Sequence, residues 1–225
     1  MAAEDPMWVR WNQEAPELYN KIAYGNNGIV TGVNLVCHKL MEGQFSRDQV
    51  FDRVIEVGAG TGKHLEFVRH RFASYLMTDI SERHLRQIAI NSPSVRIEVA
   101  DAAFLPYENS SFDRLISVAN LEHLPNPHLV LEEWRRVVRP GGTISISIPT
   151  EGGIAWNLGR YLTTRRYFRR MGLDLDYIIA REHINACYRL VSLIRHYFPS
   201  RREIWWPFGI PSVNINLIYS CNATR

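Results

Sequence analysis

Lysine is nearly missing from this chain. Of its 26 basic residues only Lys21, Lys39 and Lys63 are lysines, and all the others are arginine. Cysteine is scarce as well: Cys37, Cys187 and Cys221 are odd in number, far apart and set among apolar residues. That excludes a disulfide framework, and without any Cys-x-x-Cys or Cys/His spacing it excludes a zinc module, so the three read as core thiols. No stretch approaches the roughly 18 apolar residues of a membrane-spanning helix. The first residues, Met1-Ala-Ala-Glu-Asp-Pro-Met-Trp8, are acidic and have no apolar run after a basic start. They do not read as a secretory signal, and a cytoplasmic protein is expected. Internal repeats and low-complexity segments are missing too, which excludes solenoid, collagen-like and disordered chains.

What is present is 225 residues, 46% of them hydrophobic, enough for one domain with a sizeable core. The net charge is only +3, but residues 1–150 hold 15 basic against 18 acidic side chains and residues 151–225 hold 11 against 5. A basic C-terminal third points to an acidic partner or to a solvated arginine face.

The middle of the chain alternates short β-branched runs with helical patterns, the signature of βαβ units and a parallel sheet. Strands are expected at Arg53–Val57, Ser74–Thr78, Val95–Val99, Phe112–Val118 and Thr143–Ile148. A helix carrying Leu65, Val68 and Phe72 is expected after the first. Ser81 should cap a second through Leu85, Ile88 and Ala89. Leu129–Val138 reads as a third, stopped at Arg139-Pro-Gly-Gly142. Toward the ends, Ile29–Met41 follows a turn at Tyr24-Gly-Asn-Asn-Gly28. Helices over roughly Ile154–Met171 and Asn185–Phe198 precede two strands, Glu203–Phe208 and Val213–Asn222, that read as a hairpin.

The most informative stretch is Val54-Ile-Glu-Val-Gly-Ala-Gly-Thr-Gly-Lys-His64, a strand running into three alternating glycines. Such a loop brings backbone N–H groups close to a ligand. A dinucleotide fingerprint needs a third glycine where Lys63 stands, and a phosphate loop needs glycine at Val57 and Ser or Thr at His64. Both templates fail. Gly-x-Gly-x-Gly after an acid resembles the donor loop of class I S-adenosylmethionine-dependent methyltransferases. Asp79, Asp101-Ala102, Asn109-Ser-Ser-Phe-Asp113, Ala119-Asn-Leu-Glu-His-Leu-Pro125 and Arg139-Pro-Gly-Gly-Thr143 extend the likeness. Together they resemble the type-11 branch that includes ubiquinone- and menaquinone-pathway enzymes, over roughly residues 50–150.

The resemblance implies an α/β fold: a Rossmann-like, seven-stranded, mainly parallel sheet with an antiparallel last strand and helices on both faces. Residues 1–50 would be a helical cap, 51–150 the donor-binding core, and 151–225 an acceptor-side insert ending in a β-hairpin, all within one structural domain. It implies S-adenosylmethionine as cofactor, with Glu56, Gly58, Ala59, Gly60, Thr61 and Gly62 at its methionine end. Asp79 and Ile80 would hold the ribose, Asp101 and Ala102 the adenine, and Ala119 would line the site. The expected activity is methyl transfer to O or N of a small molecule that is anionic, sugar-linked or lipid-linked. The alternatives are a non-catalytic adenosyl-ligand or interaction protein on the same fold, and an NAD- or nucleotide-dependent enzyme.

His183 and His123 are the candidate bases, for an acceptor that must lose a proton. Trp11, Tyr19, Tyr24, Trp156, Arg160 and Tyr161 are the candidate acceptor-site residues. Some relatives of the resembled branch place two glutamates and a histidine on a divalent ion. Glu122 and His123 match two of those positions and Ala119 stands at the third, so no metal is expected. No RNA-binding module and no Asn/Asp-Pro-Pro-Tyr motif is present, so nucleic acid is not an expected partner. A basic aromatic helix near residue 160 leaves peripheral membrane contact as a lesser reading.

Overall fold

Short β-branched runs without alternation belong in a sheet covered on both faces. The computed structural model, which describes residues 4–23 and 29–225, places them there. Strands β1 (Val50–Val57), β2 (Arg71–Asp79), β3 (Val95–Val99), β4 (Phe112–Val118), β5 (Val138–Pro149), β6 (Arg201–Trp206) and β7 (Ile218–Thr224) form one sheet. Their order is β3-β2-β1-β4-β5-β7-β6. β1 to β5 pair parallel, and β7 runs antiparallel between β5 and β6. This is the expected Rossmann-like sheet with its antiparallel last strand. The chain reverses direction of growth between β1 and β4, and open α/β sheets bind ligands at the carboxyl edge of that point.

Helices cover both faces. Helix α1 spans Pro6–Ala23, α2 Ile29–Glu42, α3 Glu82–Leu85 and α4 Pro127–Val137; α5 spans Ile154–Leu162, α6 Thr164–Arg170, α7 Leu175–Glu182 and α8 Cys187–Tyr197. On one face α4 and α8 bury Leu131, Trp134, Leu190 and Ile194 against Ile55, Leu115, Ile144 and Ile146. On the other, Met41 of α2 and Phe45 pack with Val54, Met77 and Ile116. A third cluster joins the two ends of the chain, with Trp11 of α1 against Phe168, Leu175 and Ile178 from the insert. Cys37, Cys187 and Cys221 are free and buried. Among the described residues, no helix is long and apolar enough to cross a membrane.

Several expected elements end elsewhere. The helix after the glycine loop is a short 3-10 turn, Lys63–Phe67, and Phe72 already belongs to β2. Spacings of three and four over so few residues fit a turn entering a strand as well as a helix. The Phe72 ring lies tilted against that of Tyr75, with centroids 5.2 Å apart. Ser81 does cap the next helix, its side chain accepting from His84 N at 3.3 Å, but that helix stops at Leu85. The helix expected over Ile154–Met171 breaks at Thr163, whose hydroxyl bonds back to Gly159 O at 2.6 Å; such competition with the helical ladder is characteristic of Ser and Thr. β6 starts at Arg201 and ends before Pro207, which has no N–H for the ladder, and β7 begins only at Ile218. The Tyr24–Gly28 turn lies outside the described residues.

Candidate active site

The glycine loop leaves β1 at the sheet's carboxyl edge. Gly58, Gly60 and Gly62 all have left-handed backbones, with φ of +67°, +55° and +75°, which is why three glycines alternate here. A Cβ on Gly58 would lie 2.2 Å from Cγ of Asn120, so the turn after β4 rests directly on the loop. A Cβ on Gly60 would meet nothing within 4 Å, which leaves open space beside the loop's backbone.

Asp79, the last residue of β2, fixes the loop's height. Its Oδ2 accepts from Gly60 N at 2.9 Å and its Oδ1 from Ser81 N at 2.8 Å. Burial pushes its pKa up, but nearby His84, 3.8 Å from Oδ1, and the hydrogen bonds from Ser81 N and Gly60 N outweigh this and hold the carboxyl below its usual range. Each carboxylate oxygen keeps a second lone pair for a ligand hydroxyl. Ile80 is exposed beside it. Asp101 is exposed after β3 and accepts from Ala103 N at 2.8 Å, so it also shapes its own turn. Ala102 is buried, and its carbonyl accepts from Trp134 Nε1 at 3.0 Å. Phe104, 78% exposed on the same turn, supplies an apolar face that the sequence reading missed.

Glu56 stands apart from these. It is buried on the α2 side of the sheet, where Tyr75 Oη donates to its Oε2 at 2.7 Å, and burial raises its pKa. Behind the loop lies a further buried set: Glu42 Oε1 meets His64 Nε2 at 3.0 Å and Arg114 at 2.6 Å. This network supports the loop from beneath.

Ala119, at the end of β4, also lines a cavity of about 230 Å³. Its walls come from both chain ends: Trp11 of α1, Cys37 of α2, Trp156 and Arg160 of α5, Phe168 of α6, and Ile178 of α7. Most of this lining is apolar, and the polar groups are concentrated at one place. His123 Nδ1 lies 3.1 Å from Glu182 O, and its ring sits edge-on to that of His183, with centroids 4.5 Å apart. Glu151 accepts from His183 Nδ1 and pairs with Arg160. Trp11 Nε1 donates to Glu182 Oε1 at 2.5 Å. Asn185 ties the post-β4 turn to the insert by donating to Leu124 O at 2.7 Å.

The charges follow from burial and contact. Burial lowers His123 to about 4, aided by the charge of His183, so its ring is neutral. Burial also pulls His183 down, but Glu151, Glu122 and Glu182 together reverse this and raise its pKa. Glu122 is buried, its Oε2 has no hydrogen-bond partner among the described residues, and burial pushes it up to about 7. Burial likewise raises Glu182.

Both candidate bases therefore meet in one cavity, with Trp11, Trp156 and Arg160. Tyr161 does not join them: it is 60% exposed, on the far side of α5. The side chain of Tyr19 and all of Tyr24 lie outside the described residues. Arg165 pairs with Asp176, while Arg166, Arg169 and Arg170 are exposed, so of the insert's arginines only Arg160 reaches the cavity. Sequence reasoning missed Glu151 and Glu182. His123, Glu182 and His183 also offer one ligand atom each within 4.8 Å of one another, a grouping that could hold a metal ion.

Residues 55–146 match the model of a methyltransferase domain. This part of the chain is a class I S-adenosylmethionine-dependent methyltransferase domain of the type-11 family. It is 32% identical over 123 residues to a malonyl-[acyl-carrier protein] O-methyltransferase of Erwinia pyrifoliae, covering 51% of this chain and 46% of that one. It is 31% identical over 170 residues to a sarcosine/dimethylglycine N-methyltransferase of Halorhodospira halochloris, covering 67% and 59%. The chain thus spans only about half the length of the curated relatives it matches. A solved Thermotoga maritima S-adenosylmethionine-dependent methyltransferase, a possible histamine N-methyltransferase, shares the fold at a TM-score of 0.60 with 16% identity, over 96% and 99% of the two chains. In this methyltransferase domain the turn after β4 touches the glycine loop through Asn120 and lines the cavity through Ala119, Glu122 and His123.

Proposed function

We propose that the chain moves a methyl group from S-adenosylmethionine to a hydroxyl or amine of a mainly apolar small molecule held in the cavity. The observation that carries this reading is Ala119, which follows β4, adjoins the Asn120 that rests on the donor loop, and lines the cavity containing His183. The open space over Gly60 and the carboxylate of Asp79 fit the donor's backbone and ribose contacts. When bound, the sulfonium supplies an electrophilic methyl and a good leaving group, so the protein has mainly to align the acceptor and exclude water.

His183 is the base in this reading. Its Nδ1–H faces Glu151, which leaves Nε2 to take a proton from the acceptor and Glu151 to stabilise the imidazolium that forms. His123 donates Nδ1–H to the carbonyl of Glu182 and stays neutral, so its Nε2 is an acceptor that can orient a hydroxyl or amine. Arg160 is compensated by Glu151, and Glu122 and Glu182 add carboxyl groups, so the cavity favours a neutral or amine-bearing acceptor over an anionic one.

Calorimetry with S-adenosylmethionine, S-adenosylhomocysteine, NAD and ATP tests the donor. Binding of the two sulfur ligands is expected, and tight NAD binding without either would overturn the reading. A donor-binding chain that methylates nothing in an acceptor screen would point to a non-catalytic role. A second reading, favoured by the close approach of His123, Glu182 and His183, is that a divalent ion activates the acceptor. Turnover that survives dialysis against a chelator selects the metal-free base, and turnover restored only by added ion selects the second.

A further inference from the structure

Helix α5 has two unlike faces. At 3.6 residues per turn, positions 154, 158, 161 and 162 share one arc, and 156, 159 and 160 lie opposite. Trp156, Gly159 and Arg160 line the cavity. Ile154, Leu158, Tyr161 and Leu162 face outward, exposed by 71%, 56%, 60% and 60%. A single helix therefore separates the cavity from an uncovered apolar stripe.

The stripe continues onto the loop between β6 and β7. Phe208, Ile210 and Ile215 are exposed there, and Ala155 N donates to Asn214 O at 2.9 Å, fastening the loop to the start of α5. Buried Asn216 holds the loop's shape by donating to Ile210 O at 2.7 Å and Ser212 O at 2.8 Å and accepting from Phe208 N at 3.0 Å. An apolar surface held in place this way marks an interaction site.

Its surroundings select the partner. Residues 154–170 contain five arginines and no acidic residue, and nothing acidic follows Glu203. Arg165 is paired with Asp176, but Arg166, Arg169 and Arg170 are exposed and make no ion pair among the described residues. α6, which carries these arginines, packs against α5, and Arg165 lies 5.9 Å from the Tyr161 ring. Exposed aliphatic and aromatic side chains next to an arginine-rich helix match the interface of a bilayer carrying anionic lipids, where each cation near the surface strengthens partitioning roughly fivefold.

We propose that the outer face of α5, the Phe208–Ile215 loop and the arginines of α6 form a docking surface for an anionic lipid bilayer. The test is co-sedimentation of the full chain with vesicles of phosphatidylcholine alone and with vesicles containing about one third phosphatidylglycerol. Binding to the anionic vesicles is expected, weaker binding to the neutral ones, and weakening by salt. Leu158→Glu with Leu162→Glu should abolish it. Arg166→Glu with Arg169→Glu should weaken it at least roughly tenfold, since two favourable charges become two unfavourable ones. S-adenosylhomocysteine binding by each variant reports on the fold and on the donor reading independently of the vesicles. A chain that binds S-adenosylhomocysteine but no anionic vesicle overturns the proposal, as does vesicle binding indifferent to the α5 variants. A concentration-dependent dimer lost in Leu158→Glu, without vesicle binding, would assign the face to a second copy instead.

Discussion

Trp11 and Glu182, 171 positions apart in the chain, meet through a 2.5 Å hydrogen bond from the indole Nε1 to the carboxylate. The bond joins α1 to α7 across the cavity, and the Trp11 ring packs on Phe168 with centroids 5.7 Å apart. It closes the cap by uniting its two sequence-distant halves. Trp11→Phe keeps the packing but leaves the half-buried Glu182 carboxyl with one partner fewer, at a cost of about 1 kcal/mol. Urea denaturation should show a lower midpoint with little change in slope. An unchanged midpoint would mean that the bond contributes nothing to holding the cap.

The three glycines should respond differently to alanine. Gly58→Ala drives a Cβ to 2.2 Å from Asn120 and forces a left-handed backbone, so the domain should lose several kcal/mol or fail to fold. Gly60→Ala meets open space, so it should fold at a cost of about 1 kcal/mol while intruding where the donor lies. Asp79→Ala removes the acceptor of the Gly60 N–H and both proposed ribose contacts. Donor affinity should fall roughly a hundredfold or more by calorimetry. Full affinity in folded Gly60→Ala and Asp79→Ala would place the donor elsewhere.

Local geometry decides what could be read from the chain. The Gly58–Gly62 loop and Asp79 were legible because a fixed spacing imposes the turn and puts an acid at the end of the neighbouring strand. Trp11, Trp156 and Arg160 could be named as aromatic and basic residues in the right regions. Tyr161 was grouped with them, although one residue past Arg160 turns a side chain about 100° around a helix. Glu151 and Glu182 acquire their roles only through long-range contacts, to His183 and Trp11, that no local pattern carries. The broken helix at Thr163 and the curtailed one at Lys63–Phe67 show the same limit, since apolar spacing leaves element ends undetermined.

Glu151 is expected to act through His183. Because its charge helps raise the His183 pKa, the rising limb of kcat against pH should lie above the usual histidine range. Glu151→Gln removes that charge, so the limb should move to lower pH while kcat at its plateau falls roughly 10- to 100-fold. Rescue by Glu151→Asp would fit a carboxylate requirement. A fall in kcat with an unmoved limb would reduce Glu151 to a packing role, and an unchanged kcat in both His183→Ala and His123→Ala would exclude both as the base.

The network beneath the glycine loop should make the fold sensitive to acid in two steps. His38 is buried with its Nδ1 2.9 Å from His64 Nδ1, and burial, with the neighbouring charges of His64 and Lys63, pulls it down to about 3. Burial also pulls His70 down to about 4. Both are bound neutral, so from about pH 6.5 downward the unfolded chain takes up protons that the fold refuses. Each group then costs about 1.4 kcal/mol per pH unit until its folded pKa is reached. Burial pushes Glu42 up, but His64 and Arg114 outweigh it and hold the carboxyl at about 2. Its share of stability is present above the unfolded value near 4.5 and is lost as the pH falls from there toward 2. Urea midpoints should therefore fall from about pH 6.5 as the two histidines begin to count, and Glu42 adds its own loss below about pH 4.5, as the His70 loss comes to an end near 4. His38→Gln should flatten the first step. Glu42→Gln, which leaves Arg114 buried without its counter-charge, should cost about 3–5 kcal/mol at pH 7 and remove the second. Midpoints that stay level between pH 7 and 5, or a first step unchanged by His38→Gln, would show that these histidines are charged in the folded chain.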